Sequence, residues 1–199
     1  MSALSIAIVA IIGYLIGSIS FAVIIARGRG IDILKFGSGN PGATNVTRAL
    51  GSKWGRIVFI LDACKGLIAA GWPLVCISGS SVELGIIGLL AAIIGHSFSV
   101  FIGFRGGKGV ATAMGGLLAL MPCVLLIGAV CWIILYFVSR MVALASLVFA
   151  VSLPISACIL YTVGDSRFIL GFVLGTLIIV RHRSNIIRIL QGTESSFRR

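Results

Sequence analysis

The chain has 199 residues, 59% of them hydrophobic and only 11% charged, with a mean hydropathy of +1.18. The apolar residues come in long runs rather than amphipathic stripes, which excludes a water-soluble globular domain and leaves an all-α polytopic membrane protein. The net charge of +11 reads as a record of membrane insertion, because no basic stripe interleaved with aromatics points to nucleic acid.

Spans of about 20 apolar residues, with breaks at Gly, Pro and charge, predict seven segments in chain order: Ser5 to Ala26, Ile57 to Ile77, Leu84 to Ile102, Val110 to Leu120, Pro122 to Val138, Met141 to Thr162 and Phe168 to Val180. The loops left over are too short for a separate soluble domain, so 1–199 reads as one domain. The first segment lacks a charged leader and an A-x-A cleavage site and is expected to be a retained span. At Met121 and Pro122 a single kinked helix competes with two segments. Two segments place fourteen of the sixteen basic residues on one face, leaving Arg167 opposite and Lys65 inside a span; one merged helix gives nine against six. The positive-inside rule favours seven segments, N-terminus outside and C-terminus cytoplasmic. The five cysteines, Cys64, Cys76, Cys123, Cys131 and Cys158, all fall in apolar segments without CxxC spacing and read as small hydrophobes.

Three polar or basic stretches then share the cytoplasmic face. The first, GSGNPGATNVTRALG from Gly37 to Gly51, offers glycines for close backbone approach, amides for an anion nest, and hydroxyls with Arg48 to complete an anion pocket. Its plainer reading is a surface loop followed by a helix capped by Thr44 or Asn45. The second, GHSFSVFIGFRGGKGVAT from Gly95 to Thr112, surrounds Lys108 with Gly103, Gly106, Gly107 and Gly109 and then begins a helix. That order suits a phosphate, with backbone amides and a helix start meeting the anion and lysine adding a point charge. It is not a Walker A loop: Gly103 to Gly107 leaves three intervening residues instead of four, and glycine follows the lysine instead of a hydroxyl. A phosphate monoester fits better than nucleotide hydrolysis. His96 in this stretch reads mainly as a helix-terminal hydrogen-bonding residue, with a ligand or base role as the lesser alternative.

The third stretch, RHRSN from Arg181 to Asn185 followed by IIRILQGTE, is on its plain reading a basic anchor after the last span. His182 and Asn185, three residues apart, would share one face of a continuing helix and present an imidazole and an amide to one ligand. Glu194 would orient a basic residue or cap the Gly192 and Thr193 backbone. Within the spans, Asp62 and Lys65 are expected to form a structural ion pair, a proton relay needing more members. Ser146 either faces a cytoplasmic cavity as a substrate-binding group or bonds its own backbone.

Together, SGNPGATNVTRALG, GHSFSVFIGFRGGKGVAT and RHRSNIIRILQGTE resemble the three cytoplasmic motifs of the acyl-phosphate-dependent glycerol-3-phosphate acyltransferase family, PlsY. The motifs occur in the family's order across the chain. The departures are Ser99, where the family usually has proline, and Pro41 within the first motif. The resemblance implies a monomeric enzyme of the bacterial cytoplasmic (inner) membrane, with its active site on the cytoplasmic face and no cofactor or metal. Its substrates would be acyl phosphate and glycerol 3-phosphate, met at the membrane lipid. The family moves the acyl group to the 1-hydroxyl, giving lysophosphatidic acid and inorganic phosphate in the first step of bacterial phospholipid synthesis. It lacks an H-x-x-x-x-D motif, and here neither His96 nor His182 has an aspartate five residues on.

On this resemblance the catalytic set is His182, Asn185, Ser38 and Lys108. The substrate-binding set is Gly39, Asn40, Thr44, Asn45, Arg48, Gly106, Gly107, Gly109 and Ser146. Acyl phosphate already carries a good leaving group, so the expected route is direct attack without a covalent acyl-enzyme. An anion transporter is the main competitor, but its site belongs near the membrane midplane between repeats, and no repeat is visible. CDP-alcohol phosphotransfer would need several metal-binding aspartates, and the chain has five acids in all.

Overall fold

The computed structural model describes residues 2–197; Arg198 and Arg199, counted in the charge asymmetry above, lie outside the described residues. The helices in chain order are α1 (Ala3–Ser18), α2 (Phe21–Arg27), α3 (Ala43–Leu50), α4 (Ser52–Cys76), α5 (Val82–Ser97), α6 (Val110–Leu120), α7 (Pro122–Ser139), α8 (Val142–Leu160), α9 (Ser166–Arg181) and α10 (Arg183–Leu190). Among the described residues the sole departure from helix and loop is an isolated bridge between Ser99 and Arg105.

All seven predicted segments are helical, with different lengths. Ala3–Arg27, Ser52–Cys76, Pro122–Ser139 and Val142–Leu160 are each long and apolar enough to cross a membrane. The pair α9 and α10, bent by 61°, makes a fifth candidate, whereas α5 and α6 are shorter apolar helices. The third segment was drawn too long: Phe98 leaves helical geometry at φ −136°, ψ 63°, and a single 3-10 turn, Val100–Ile102, follows. At the doubtful join α6 stops at Leu120, Met121 sits at φ −146°, ψ 60°, and Pro122 opens α7. Proline at the first helical position loses no intrahelical hydrogen bond there, so the break yields two helices.

The described residues divide into two compact units at the Leu120–Met121 bond. In the first, α5 packs on α1 and α4, and α6 packs on α4. Lipid tails are as apolar as leucine, so helices in a bilayer gain by close backbone approach more than by excluding water. Gly66 and Gly115 provide that approach: a methyl on Gly66 would strike the Thr112 carbonyl, and one on Gly115 the Ala63 carbonyl. A second group of apolar residues, Ala22, Val23, Ala26, Ile33, Val46 and Val58, joins α2, α3, the 28–42 loop and α4. Ile102, from the 3-10 turn, packs on that group and ties the second polar stretch to the first.

In the second unit α8 packs between α7 and α9. Arg140 turns the chain between α7 and α8 in the left-handed conformation, φ 58°, its N–H bonded to Tyr136 O. Much of α7 is exposed, including Leu126, Ile133, Ile134, Phe137 and Val138, and that surface suits hydrocarbon rather than water.

Because a methyl has no room at the α4–α6 contact, Gly66→Ala is expected to cost about 1–3 kcal/mol and to lower the unfolding temperature in detergent. Gly71→Ala, on the same helix with nothing within 4 Å, should leave that temperature unchanged or slightly raised. Thermal scans of the two variants side by side check both.

Candidate active site

The first polar stretch is organised by Asn45. Its Nδ2 donates to Phe36 O at 2.8 Å and Ile33 O at 3.3 Å, and its Oδ1 accepts from the Ser38 N–H at 3.3 Å. The expected capping role is corrected: α3 starts at Ala43 with Gly42 as N-cap and no side-chain cap, and Asn45 lies inside the first turn. The amide is consumed in closing the loop, which leaves the residue buried. Gly39 takes φ 67°, a conformation costly for any residue with a Cβ. The Ser38 hydroxyl accepts from the Asn40 N–H at 3.4 Å. Thr44 and Arg48, four residues apart on α3, lie on one face of that helix; Ser38 and Arg48 are exposed, Asn40 and Thr44 half-buried.

The second stretch is pinned to α1 and α5. Tyr14 Oη donates to Phe98 O at 2.9 Å, and Ser99 Oγ donates to Ser18 O at 2.6 Å. The Ser99 N–H donates to Arg105 O at 3.1 Å, and the Phe104 N–H to Ser99 O at 2.8 Å, closing a tight lariat through Gly103 and Phe104, both with positive φ. Ser99 itself has φ −70°, the angle a proline ring imposes, so the departure from proline keeps the backbone and adds two hydrogen bonds. Gly106 and Gly107 lie against His96, with the Gly107 N–H donating to His96 O at 3.0 Å. Gly109, at φ 80°, directly precedes α6, and Lys108 is half-buried just before it. Backbone amides at the start of an apolar helix, with an adjacent lysine, form an anion cradle.

The third stretch departs from the expected continuing helix. His182 closes α9 and opens α10, where the axis turns by 61°. Its Nδ1 lies 2.8 Å from Ile178 O; a carbonyl only accepts, so Nδ1 carries the proton and Nε2 the lone pair. Asn185 Nδ2 donates to Glu194 Oε1 at 3.0 Å, and Arg188 Nε donates to Glu194 Oε2 at 2.7 Å. The tail carboxylate thus fixes the amide of Asn185 and a basic residue at once, the second being the orienting role expected of it.

Two polar groups inside spans also resolve. Asp62 and Lys65 form the expected ion pair at 2.9 Å, with His96 Nδ1 3.8 Å from the same carboxylate oxygen. Ser146 is buried and accepts from Trp132 Nε1 at 3.2 Å, so its first partner is the indole and not its own backbone. The structure therefore brings Ser38, Gly39, Asn40, Thr44, Asn45 and Arg48 together around one loop, Gly106 to Gly109 around a second, and His182 with Asn185 around the α9–α10 bend. The supports of these loops, Tyr14, Ser99 and the Asp62 to His96 contact, were not legible as such, since each bonds across tens of residues.

These features define an integral membrane protein that carries glycine-rich loops beside short helices. The profile of the glycerol-3-phosphate acyltransferase family matches residues 7–192, running across both units. The glycerol-3-phosphate acyltransferase of Aquifex aeolicus (strain VF5) is 43% identical over 191 residues, covering 94% of this chain and 96% of that protein. That of Bacillus cytotoxicus is 44% identical over 186 residues, covering 92% and 91%. The crystal structure of PlsY, an integral membrane glycerol 3-phosphate acyltransferase in its glycerol 3-phosphate form, superposes with a TM-score of 0.90 at 42% identity, covering 98% of this chain and 96% of that one. Its lysophosphatidic acid form gives 0.85 at the same identity and coverage. The chain belongs to the glycerol-3-phosphate acyltransferase family and is an acyltransferase of the PlsY type.

Asn45 takes part in three hydrogen bonds with one loop, and Asn45→Ala leaves the buried Ile33 carbonyl, the part-buried Phe36 carbonyl and the Ser38 amide without that partner. A loss of about 1–3 kcal/mol is expected, together with faster amide exchange at Ser38, read by hydrogen exchange in micelles.

Proposed function

We propose that this enzyme transfers a fatty acyl group from acyl phosphate to the 1-hydroxyl of sn-glycerol 3-phosphate, releasing lysophosphatidic acid and inorganic phosphate. The observation that carries the reading is the pair of glycine-rich cradles in the first unit, each holding backbone amides beside a base, Arg48 or Lys108. Two phosphorylated reactants need two such anion sites. The kinship with a PlsY that was crystallised in glycerol 3-phosphate and lysophosphatidic acid forms supports the acceptor and the product.

In this proposal Lys108 and the start of α6 after Gly109 take the phosphate of glycerol 3-phosphate, with Gly106 and Gly107 letting it approach the backbone closely. Gly39, Asn40, Thr44 and Arg48 take that of acyl phosphate, while Ser38, beside them, and Asn185 donate to the carbonyl oxyanion as it forms. Asn45 serves by holding the first loop in shape, and Ser146 borders the acyl donor. The glycerol O1 attacks the acyl carbon, the new C–O ester bond forms, and the C–O bond to phosphate breaks with its electron pair leaving on phosphate. His182, its Nε2 lone pair set by the Ile178 carbonyl, orients the attacking hydroxyl. The hydroxyl proton passes to a phosphate oxygen, while the Ile178 carbonyl behind Nδ1 holds the imidazole in place. No cofactor or metal enters the scheme, and the barrier is lowered by positioning and charge neutralisation. The charge asymmetry supports an N-terminus outside and a C-terminus inside a bacterial cytoplasmic membrane, with a monomer acting from the cytoplasmic face.

Purified protein incubated with palmitoyl phosphate and glycerol 3-phosphate, without added metal, is expected to form lysophosphatidate detectable by mass spectrometry. A requirement for an acyl thioester, or phosphate movement into liposomes without product, would overturn the scheme. His182→Gln should mainly raise the KM for glycerol 3-phosphate; a collapse of kcat at saturating substrate would instead make His182 the proton acceptor.

A further inference from the structure

Three ionisable side chains inside the first unit take no part in the scheme above. Asp62 and Lys65 come from α4 and His96 from the last turn of α5, each with less than a tenth of its surface exposed. Lys65 Nζ lies 2.9 Å from Asp62 Oδ1 and also donates to Ile19 O at 2.9 Å, the carbonyl at the break between α1 and α2. Asp62 Oδ1 stands 3.8 Å from His96 Nδ1. The other edge of the imidazole abuts the glycine-rich loop. A methyl on Gly107 would collide with His96 Nε2 and approach Cε1 to 2.9 Å, and one on Gly106 would strike the His96 carbonyl. The Gly107 N–H donates to that carbonyl at 3.0 Å. Both glycines before Lys108 therefore rest on a single histidine, one face of which looks at a buried ion pair.

A plain structural pair would tie α4 to the α1–α2 break and end there. Burying two charges is costly, and replacing them with apolar residues is often neutral for stability, so stability alone is a weak reason for this pair. The contact with His96 continues the polar group to the loop.

We propose that Asp62, Lys65 and His96 are positioning residues: a buried strut runs from the α1–α2 break through the ion pair and the imidazole, and fixes the height of Gly106 and Gly107 and so of Lys108 and the start of α6, which receive glycerol 3-phosphate. The proposal rests on the reading of this loop as a phosphate cradle. Removing the ring should let the loop sink, and misplacement by about 1 Å is enough to cost up to roughly a hundredfold.

The test is a double-mutant cycle on the purified full chain with palmitoyl phosphate and glycerol 3-phosphate, with folding followed by thermal unfolding. His96→Ala and Gly107→Ala are each expected to raise the KM for glycerol 3-phosphate by about ten- to a hundredfold, with the KM for palmitoyl phosphate close to wild type. Combined, they should cost little more than one alone, because the new methyl occupies the space the ring has left. A wild-type KM in His96→Ala, or effects that simply multiply, would refute the strut. If His96→Ala does not fold, the uncharged pair Asp62→Asn with Lys65→Met should raise the same KM, and an unchanged value refutes it equally. Lys108→Met serves to separate the two levels: an unaffected KM there and in Gly107→Ala would overturn the cradle itself.

Discussion

A backbone amide or carbonyl buried away from water costs free energy unless it is paired, and the two long irregular segments of the first unit pair their buried groups from within. The 28–42 loop is closed by the amide of Asn45, which reaches back to Ile33 and Phe36. The 98–109 segment is closed by Tyr14, Ser99 and the His96 carbonyl. With the loop amides of Ser38, Gly39, Asn40 and Gly107 bonded internally, the backbone donors that the proposed phosphate sites draw on are those opening α3 and α6, next to Arg48 and Lys108.

The same economy shapes the helices. Gly66, Gly88 and Gly115 bring α4 against α5 and α6 so closely that a methyl would meet a carbonyl, and rigid contact there keeps the start of α6 in place beneath the loop. In the second unit a single carboxylate, Glu194, holds Asn185 and Arg188, while the bend at His182 presents the imidazole at the end of one helix and the amide at the start of the next. The acyl transfer proposed above, from a mixed anhydride, would ask for little else than such placement, because that leaving group needs no further activation.

Much of this was legible in the sequence. Long apolar runs gave the helices, since a 3.6-residue helix is the only economical way to carry them through lipid, and glycine clusters around Lys108 and Arg48 marked the two irregular loops. The shortfalls have physical reasons. The third segment was overextended because Phe98 to Ile102 is as apolar as a helix, although its backbone is bound to Arg105 in a lariat and the Ser99 hydroxyl to Ser18 O. Asn45 looked like a cap because its type favours caps, but the helix start is served by Gly42 and the amide is captured by carbonyls nine and twelve residues away. The face shared by His182 and Asn185 was drawn on one helix because nothing local shows a 61° bend. Asp62 and Lys65 were visible as a pair from their spacing; their neighbour His96 was not, because proximity across α4 and α5 has no local trace.

Ser99 carries one more implication. Its backbone angle is one that a ring would enforce at no enthalpic expense, yet here it is maintained by an amide and a hydroxyl. A covalent ring holds its angle equally well when cold or hot, whereas hydrogen bonds loosen on warming. The turn that leads into Gly106 is accordingly fastened by a latch that loosens with heat, and the same turn built on proline would keep its grip over a wider thermal range.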